Sequence, residues 1–393
     1  MQLPAAPWGG LFFIPMLLFY QILILLGLLI FLAIQLANLL ELRPLPMKGP
    51  GGGKVSVLVP ARNEERSIAG CVRSLLMQDY PDFEVIVLDD GSTDATPSIL
   101  QALKEESSGR LRVLRGSALP DGWHGKSWAC QQLAAEASGE MFLFTDADTH
   151  HSPDTLRRSV GAMLEGRGDM LSLTPKQELG SFSERLVVPL VYVILMSYLP
   201  LRLVRALRNP AFCFANGQFI LFRREFYRKI RGHEAVRNAL VEDVWLCMAV
   251  KKAGGRVLSF NGTDTVSCRM YRSFREVWEG FSKNLFAGLG SSTPALAAFV
   301  LLTAAFHLAP WGFLFYALFA GASGTAAVLL PLLQLATALF GRVILARRFG
   351  QPPALALLDP LARTLLMAIA LNSLREARWG GGALWKGRRY RFS

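Results

Sequence analysis

The chain has 393 residues, of which 52% are hydrophobic and 18% charged, with a mean hydropathy of +0.31 and a formal net charge of +12. That balance excludes an ordinary soluble globular protein, and the length leaves room for two or three structural units. Five dispersed cysteines with no CxxC pair exclude a disulfide-stapled fold and a tetrahedral zinc site of the usual spacing.

Residues 1–40 carry no Lys, Arg, Asp or Glu, and the run from Leu11 to Leu40 exceeds the roughly 20 residues that cross a bilayer. No basic start precedes it, so residues 1–42 read as a retained transmembrane anchor rather than a signal peptide. Arg43, Lys48 and Lys54 follow. The positive-inside bias therefore predicts a cytoplasmic location for everything after residue 43. Residues 43–53 end in a glycine-rich linker.

From 54 to 290 short β-branched runs alternate with helical periodicity. VSVLVP, FEVIVLDD, LRVLRG and EMFLFTDAD read as strands; EERSIAGCVRSLLMQ, DATPSILQALKEE and GKSWACQQLAAEAS read as the helices between them. This alternation predicts an α/β domain with a mostly parallel sheet wrapped by helices. Ligands of such sheets bind beyond the carboxyl ends of the strands. Acidic residues sit there twice, Asp89 and Asp90 after the second strand, Asp146 and Asp148 after the fourth.

Each pair alone is also an ordinary turn or cap. Together they suit a nucleotide diphosphate, with the Asp-x-Asp carboxylates holding Mg²⁺ or Mn²⁺ and the metal taking the phosphate oxygens. His150 and His151 are expected to open a solvated helix.

Residues 186–201 are uncharged and are followed by Arg202, Arg205 and Arg208, with prolines at 189 and 200. The stretch 186–208 reads either as an interfacial helix with arginines at lipid phosphates or as a core helix packed on the sheet. Residues 284–341 lack charge and are too long for one span, so 291–348 read as two transmembrane helices, about 294–318 and 325–346, hinged at GASG. In 349–393 an apolar stretch from Pro353 is interrupted by Asp359, Pro360 and Arg363. It either spans or lies in the interface, and the interfacial placement keeps the tail cytoplasmic. From Arg342 onward there are ten basic and two acidic residues. Beside membrane segments such a tail points to anionic lipid headgroups, not nucleic acid.

VLVPARNEE, DDGSTD, TDADT and VED, in that order, resemble the family-2 inverting glycosyltransferases with a GT-A fold. LPDGWHGKSWAC, NGQFILFRREFYRKIRGH and CRMYRSFREVWEGFSKN are most similar to the membrane-bound subgroup that includes hopanoid-associated and carotenoid-acid glycosyltransferases, with ceramide glucosyltransferases more distant. The resemblance implies a GT-A domain over 54–290 that transfers a single sugar from a nucleotide-sugar donor, with UDP favoured, to a membrane lipid of terpenoid type. It implies that Asp90, beside Asp89, holds the uridine, that Asp146 holds the ribose and diphosphate, and that Asp146 and Asp148 carry the metal. Lys126 matches the Gly-Lys position near the donor, where a cation meets the diphosphate. Of Glu242 and Asp243, Asp243 is the expected general base, since inversion in one displacement needs one carboxylate to take the acceptor proton. Arg269 and Arg272 match a signature that closes over the leaving diphosphate.

Two positions depart from the family, Ser273 in place of tryptophan and Gln131 in place of asparagine. The missing tryptophan and the few membrane segments speak against a processive polysaccharide synthase. The intact carboxylates speak against a catalytically inactive scaffold.

Overall fold

The computed structural model describes residues 9–47, 49, 51–107 and 109–390. Lys48 of the cationic set and Arg391–Ser393 of the tail lie outside them.

The chain opens with α1 (Gly9–Glu41) and then builds an α/β domain. Its elements are β1 (Val55–Ala61), α2 (Ile68–Leu76), β2 (Phe83–Asp89), α3 (Thr96–Glu106), β3 (Leu111–Arg115), α4 (Gly125–Glu136), β4 (Met141–Thr145) and β5 (Thr149–His151). They continue with α5 (Thr155–Glu165), β6 (Met170–Thr174), β7 (Lys176–Gln177), α6 (Phe182–Val187), α7 (Leu190–Tyr198), α8 (Leu201–Ala206), β8 (Phe219–Arg223) and α9 (Arg224–Lys229). The last are α10 (Glu242–Lys252), β9 (Val257–Asn261), β10 (Val266–Cys268) and α11 (Phe274–Gly288).

The main sheet has the order β3-β2-β1-β4-β8-β6-β9. β1 to β4 run parallel, β8 is antiparallel to both its neighbours, and β6 and β9 are parallel. β1 and β2 are near-continuous apolar runs because helices cover both faces of the sheet. Val57, Val59, Ile68, Val72 and Leu75 close one core layer, and Leu58, Ile86, Leu133 and Phe142 the other. Each such side chain contributes about 1.5–3 kcal/mol of burial. A small second sheet pairs β10 with β5 and β7, carrying the segment after Asp148 against the one before Arg269.

His151 is a correction. It lies in β5, buried, with its Nε2 2.9 Å from Thr149 Oγ1 and 3.2 Å from Thr145 Oγ1, and the helix begins only at Thr155. Burial pushes its imidazole down to about 3, so it stays neutral. The alternating Thr-His-His strand has too short a period to separate from a helix start.

Prolines 189 and 200 divide the 186–208 stretch into α6, α7 and α8. Tyr192, Val193 and Met196 of α7 pack with Leu42, Leu345 and Phe349, while Val191 and Tyr198 stay exposed. Arg205 pairs with Glu41 at 2.8 Å.

After the domain come α12 (Thr293–Thr303), α13 (Ala309–Ala320), α14 (Leu330–Arg348) and α15 (Asp359–Arg378). With their flanking turns, 15–41, 293–320, 325–348 and 353–378 are four helices long and apolar enough to cross a membrane. The turn between α13 and α14 needs its glycines, Gly321 at φ 63° and Gly324 at φ 102°. Polar groups tie these helices together. Gln334 donates to Gln21 Oε1 at 2.7 Å, Gln35 to Ser197 at 2.8 Å, and Asn38 to the carbonyls of Met196 and Leu199.

Pro360 sits at the first turn of α15, where no amide donor is lost, so it starts the helix rather than breaking it. Asp359 is buried among Arg363 at 3.2 Å, Arg342 at 3.5 Å and His307 at 3.8 Å. At the other end of α15, Arg378 donates to Thr293 Oγ1 at 3.1 Å. α15 thus starts against Arg342 within α14 and His307 midway along the 293–320 helix, and ends beside Thr293 at the start of α12. A hairpin of β11 (Ala383–Trp385) and β12 (Arg388–Tyr390) follows and packs on α11.

Candidate active site

The register Ala61↔Asp89 aligns the ends of β1 and β2, and β4 lies on the other side of β1. The loops after these three strands therefore open at one edge. They bring together Glu64, Asp90, Asp146 and Asp148. Two helix starts face them, α4 with Lys126 and α10 with Glu242 and Asp243.

Lys126 is the hub. Its Nζ lies 2.7 Å from Asp146 Oδ1 and 2.9 Å from Glu242 Oε1. Burial works against its charge, but the two carboxylates outweigh it and hold the ammonium well above the usual lysine range. Glu242 is likewise penalised by burial, yet Lys126 keeps it below the ordinary carboxylate value.

Asp243 takes the opposite course. Burial, and then the neighbouring Glu242, push it up to about 6. Its Oδ2 accepts from the Gly217 amide at 2.9 Å and its Oδ1 from the Val244 amide at 2.8 Å, so its orientation is set by backbone. Gly217 cannot be enlarged freely, because a Cβ there would stand 3.3 Å from Lys126 Nζ. Two adjacent carboxylates with separated ionisation supply a fixed anion and a proton acceptor.

Asp148 has a buried Oδ1 with no hydrogen-bond partner. Burial and then Asp146 raise its carboxyl above the ordinary value. A buried carboxylate oxygen left without a donor, beside a second carboxylate, fits a hard divalent cation. Among the described residues no group of three or more His, Cys, Asp or Glu side chains gathers to bind a metal. Two protein carboxylates suit an ion that completes its shell with water and substrate oxygens.

The two readings of DDGSTD divide between its aspartates. Asp89 Oδ1 caps the turn by accepting from Ser92 N–H at 3.0 Å, and Asp94 accepts from Thr96 and Glu65 amides. Asp90 is buried and faces the site.

The arginines of the RMYRSF segment do not reach this cluster. Arg269 is held by Glu184 at 3.1 Å, and Arg272 donates weakly to Arg66 O and Ser67 Oγ at 3.4 Å. Ser273 caps α11 by accepting from Glu276 N–H at 3.2 Å. The buried Gln131 Oε1 has no hydrogen-bond partner.

Several site residues do not stand out in the sequence. Glu64, within NEE, is pushed up to about 7, by burial first. Lys283 of α11 is pushed down to about 8, also by burial first. From the C-terminal hairpin, Arg388 forms an ion pair with Asp90 and Lys386 one with Glu64. The two-residue Lys-Gly turn between Trp385 and Arg388 is the local hairpin signal, masked by the density of basic residues around it.

Residues 56–231 match Glycosyl transferase family 2. The chain is 28% identical over 345 residues to 4,4'-diaponeurosporenoate glycosyltransferase of Staphylococcus aureus (strain MRSA252), covering 86% of this chain and 88% of that enzyme. Among solved structures, the fold is similar to the mannosyltransferase PcManGT from Pyrobaculum calidifontis in complex with GDP-Man and Mn²⁺. The TM-score is 0.53 at 19% identity, covering 91% of this chain and 98% of that one. The mostly parallel sheet with its covering helices is the GT-A fold.

Proposed function

From a chain that carries a family-2 glycosyltransferase domain, we infer an enzyme that moves one sugar from a nucleotide-sugar donor, a UDP-sugar first, to a membrane lipid. The acceptor is a terpenoid of carotenoid or hopanoid type, and the reaction inverts the anomeric centre. The observation that carries this is the convergence of Lys126, Asp146, Asp148, Glu242 and Asp243 at one sheet edge, beside helices long and apolar enough for a membrane. Similarity to an enzyme named for a carotenoid acid supports the acceptor class.

In this reading Asp90 accepts from the base and Asp146 faces the ribose and diphosphate. Asp89 supports them by capping the turn. Asp148 with Asp146 would hold Mg²⁺ or Mn²⁺, which would supply positive charge at the diphosphate. Lys126 adds a second cation already paired within the site. Asp243, poised near neutrality, takes the proton of the acceptor hydroxyl, while an acceptor carboxylate needs only to be oriented. Arg269 and Arg272 would have to exchange their present partners to meet the diphosphate. α7 and α8 bring the acceptor's polar end toward Asp243, and the basic tail region adjoins anionic headgroups. The catalytic domain faces the cytoplasm, with α15 along the interface.

The test offers purified protein in detergent with Mn²⁺ the donors UDP-glucose, UDP-N-acetylglucosamine and GDP-mannose, each with the host's total lipid extract. Mass spectrometry should find one terpenoid lipid heavier by one sugar residue. Nucleotide release with polymer, or with no lipid shift, would replace the lipid acceptor. Asp148→Ala should bind membrane and fold normally while losing transfer by at least about 100-fold.

A further inference from the structure

The C-terminal hairpin reaches back across 298 positions to the donor side of the site. Lys386 and Gly387 form its two-residue turn at φ 47° and 75°. This is the geometry that favours Asn-Gly, so a lysine there is held against its preference. Lys386 Nζ is ion-paired with Glu64, and its carbonyl accepts from Arg62 Nε at 3.2 Å. Arg388 grips Asp90 with both nitrogens of its fork, Nη2 donating to Oδ1 at 3.0 Å. A Cβ on Gly125, at the start of α4, would strike that guanidinium. The Tyr390 ring stands edge-on to His124 at 5.3 Å. The hairpin is fixed from behind, since Gly380 and Gly382 donate to the carbonyls that end α15.

Electrostatics gives this docking a purpose. Six carboxylates gather at the site, Glu64, Asp90, Asp146, Asp148, Glu242 and Asp243, against Arg62, Lys126 and Lys283 from the domain. An anionic diphosphate entering such a site without a cation meets a surplus of like charge, and a divalent ion on Asp146 and Asp148 would remove part of it. Lys386 and Arg388 supply the further positive charge from the hairpin side. The field of Lys386 also reaches Asp148, which the metal-diphosphate reading assigns to that end of the donor.

We propose that the C-terminal hairpin is a wall of the donor site, in which Lys386 binds the donor's diphosphate and Arg388 is a positioning residue that aims Asp90 at the base. This rests on the donor reading above. Glu64 releases the ammonium to the phosphates, whereas Arg388 stays on Asp90, whose oxygens have further lone pairs for the base.

The experiment measures binding of UDP and UMP, each with Mn²⁺, to the full chain in detergent by isothermal titration calorimetry. Lys386→Asn keeps a residue that favours the turn and removes the charge. It should weaken UDP by about tenfold and UMP by less than about threefold, because only UDP presents the second phosphate. Arg388→Gln should narrow the preference for UDP over CDP, with Arg388→Lys restoring part of it. Equal melting temperatures exclude misfolding as the cause. Unchanged UDP binding in the variants overturns the proposal, and tighter binding overturns it by making the hairpin an inhibitory plug. Wild-type protein that binds no UDP overturns the donor reading itself, and the hairpin's role with it.

Discussion

Asp243 and Glu242 are neighbours in sequence, yet the fold sends their ionisation in opposite directions. Lys126 reaches Glu242 and holds it charged, and the charged Glu242 then adds to the burial that raises Asp243 to about 6. A general base must be ionised to act, so transfer should be present above that value and fade as pH falls through it. A pH–rate profile of the purified enzyme with an acidic limb near 6 is the expected result. With a hydroxyl acceptor, Asp243→Asn should abolish the limb together with about 100- to 10,000-fold of the rate. Lys126→Met should shift that limb, because the cation that fixes Glu242 is gone. A limb unmoved in Lys126→Met would separate it from this pair. At this scale the sequence is legible where a carboxylate follows a strand. It is not legible for Arg269, whose partner Glu184 lies 85 positions away and leaves no local pattern.

Helices and strands are legible in the sequence where each pattern is long and uninterrupted. β1, β2 and β4 are apolar runs closed by Pro or Asp, and the acidic residues at their ends mark the edge where the candidate site lies. The failures have physical reasons. His151 sits in a three-residue strand, too short for periodicity to register. α15 looks broken in sequence at Asp359 and Arg363, because two of the groups that surround the aspartate, Arg342 and His307, lie on other elements. A buried carboxylate that loses its nearest partner is costly, and Arg342 remains beside it, so Arg363→Ala should destabilise the protein by about 1–3 kcal/mol. Asp359→Asn combined with Arg363→Met should cost clearly less than the sum of the single changes. Thermal melting in detergent measures both. Gly161 offers a second check, because a Cβ there would run into the backbone of Gly49. Gly161→Ala should force α5 off the linker and lower stability by about 1–3 kcal/mol.

For the molecule as a whole, the α15 path and the hairpin contacts set a condition on topology. Arg388 touches Asp90, so the tail and the α/β domain share one side of the membrane, whatever that side is. In the function proposed above, that side is the cytoplasm. Single cysteines replacing exposed Lys104 and Arg389, in a cysteine-depleted background, should both resist an impermeant maleimide in intact cells and react after permeabilisation. Labelling of the Arg389 position alone in intact cells would require α15 to cross.

The order of synthesis gives the tail contact another meaning. Ribosomes add about 5–20 residues per second, so Arg388 follows Asp90, 298 positions earlier, by on the order of 15 to 60 s. The nascent domain spends that interval with its acidic edge uncovered, while the later helices are still being inserted. Completion of the pocket is thereby tied to successful insertion, and a chain that stalls in the bilayer should remain an immature form, open to quality-control proteases.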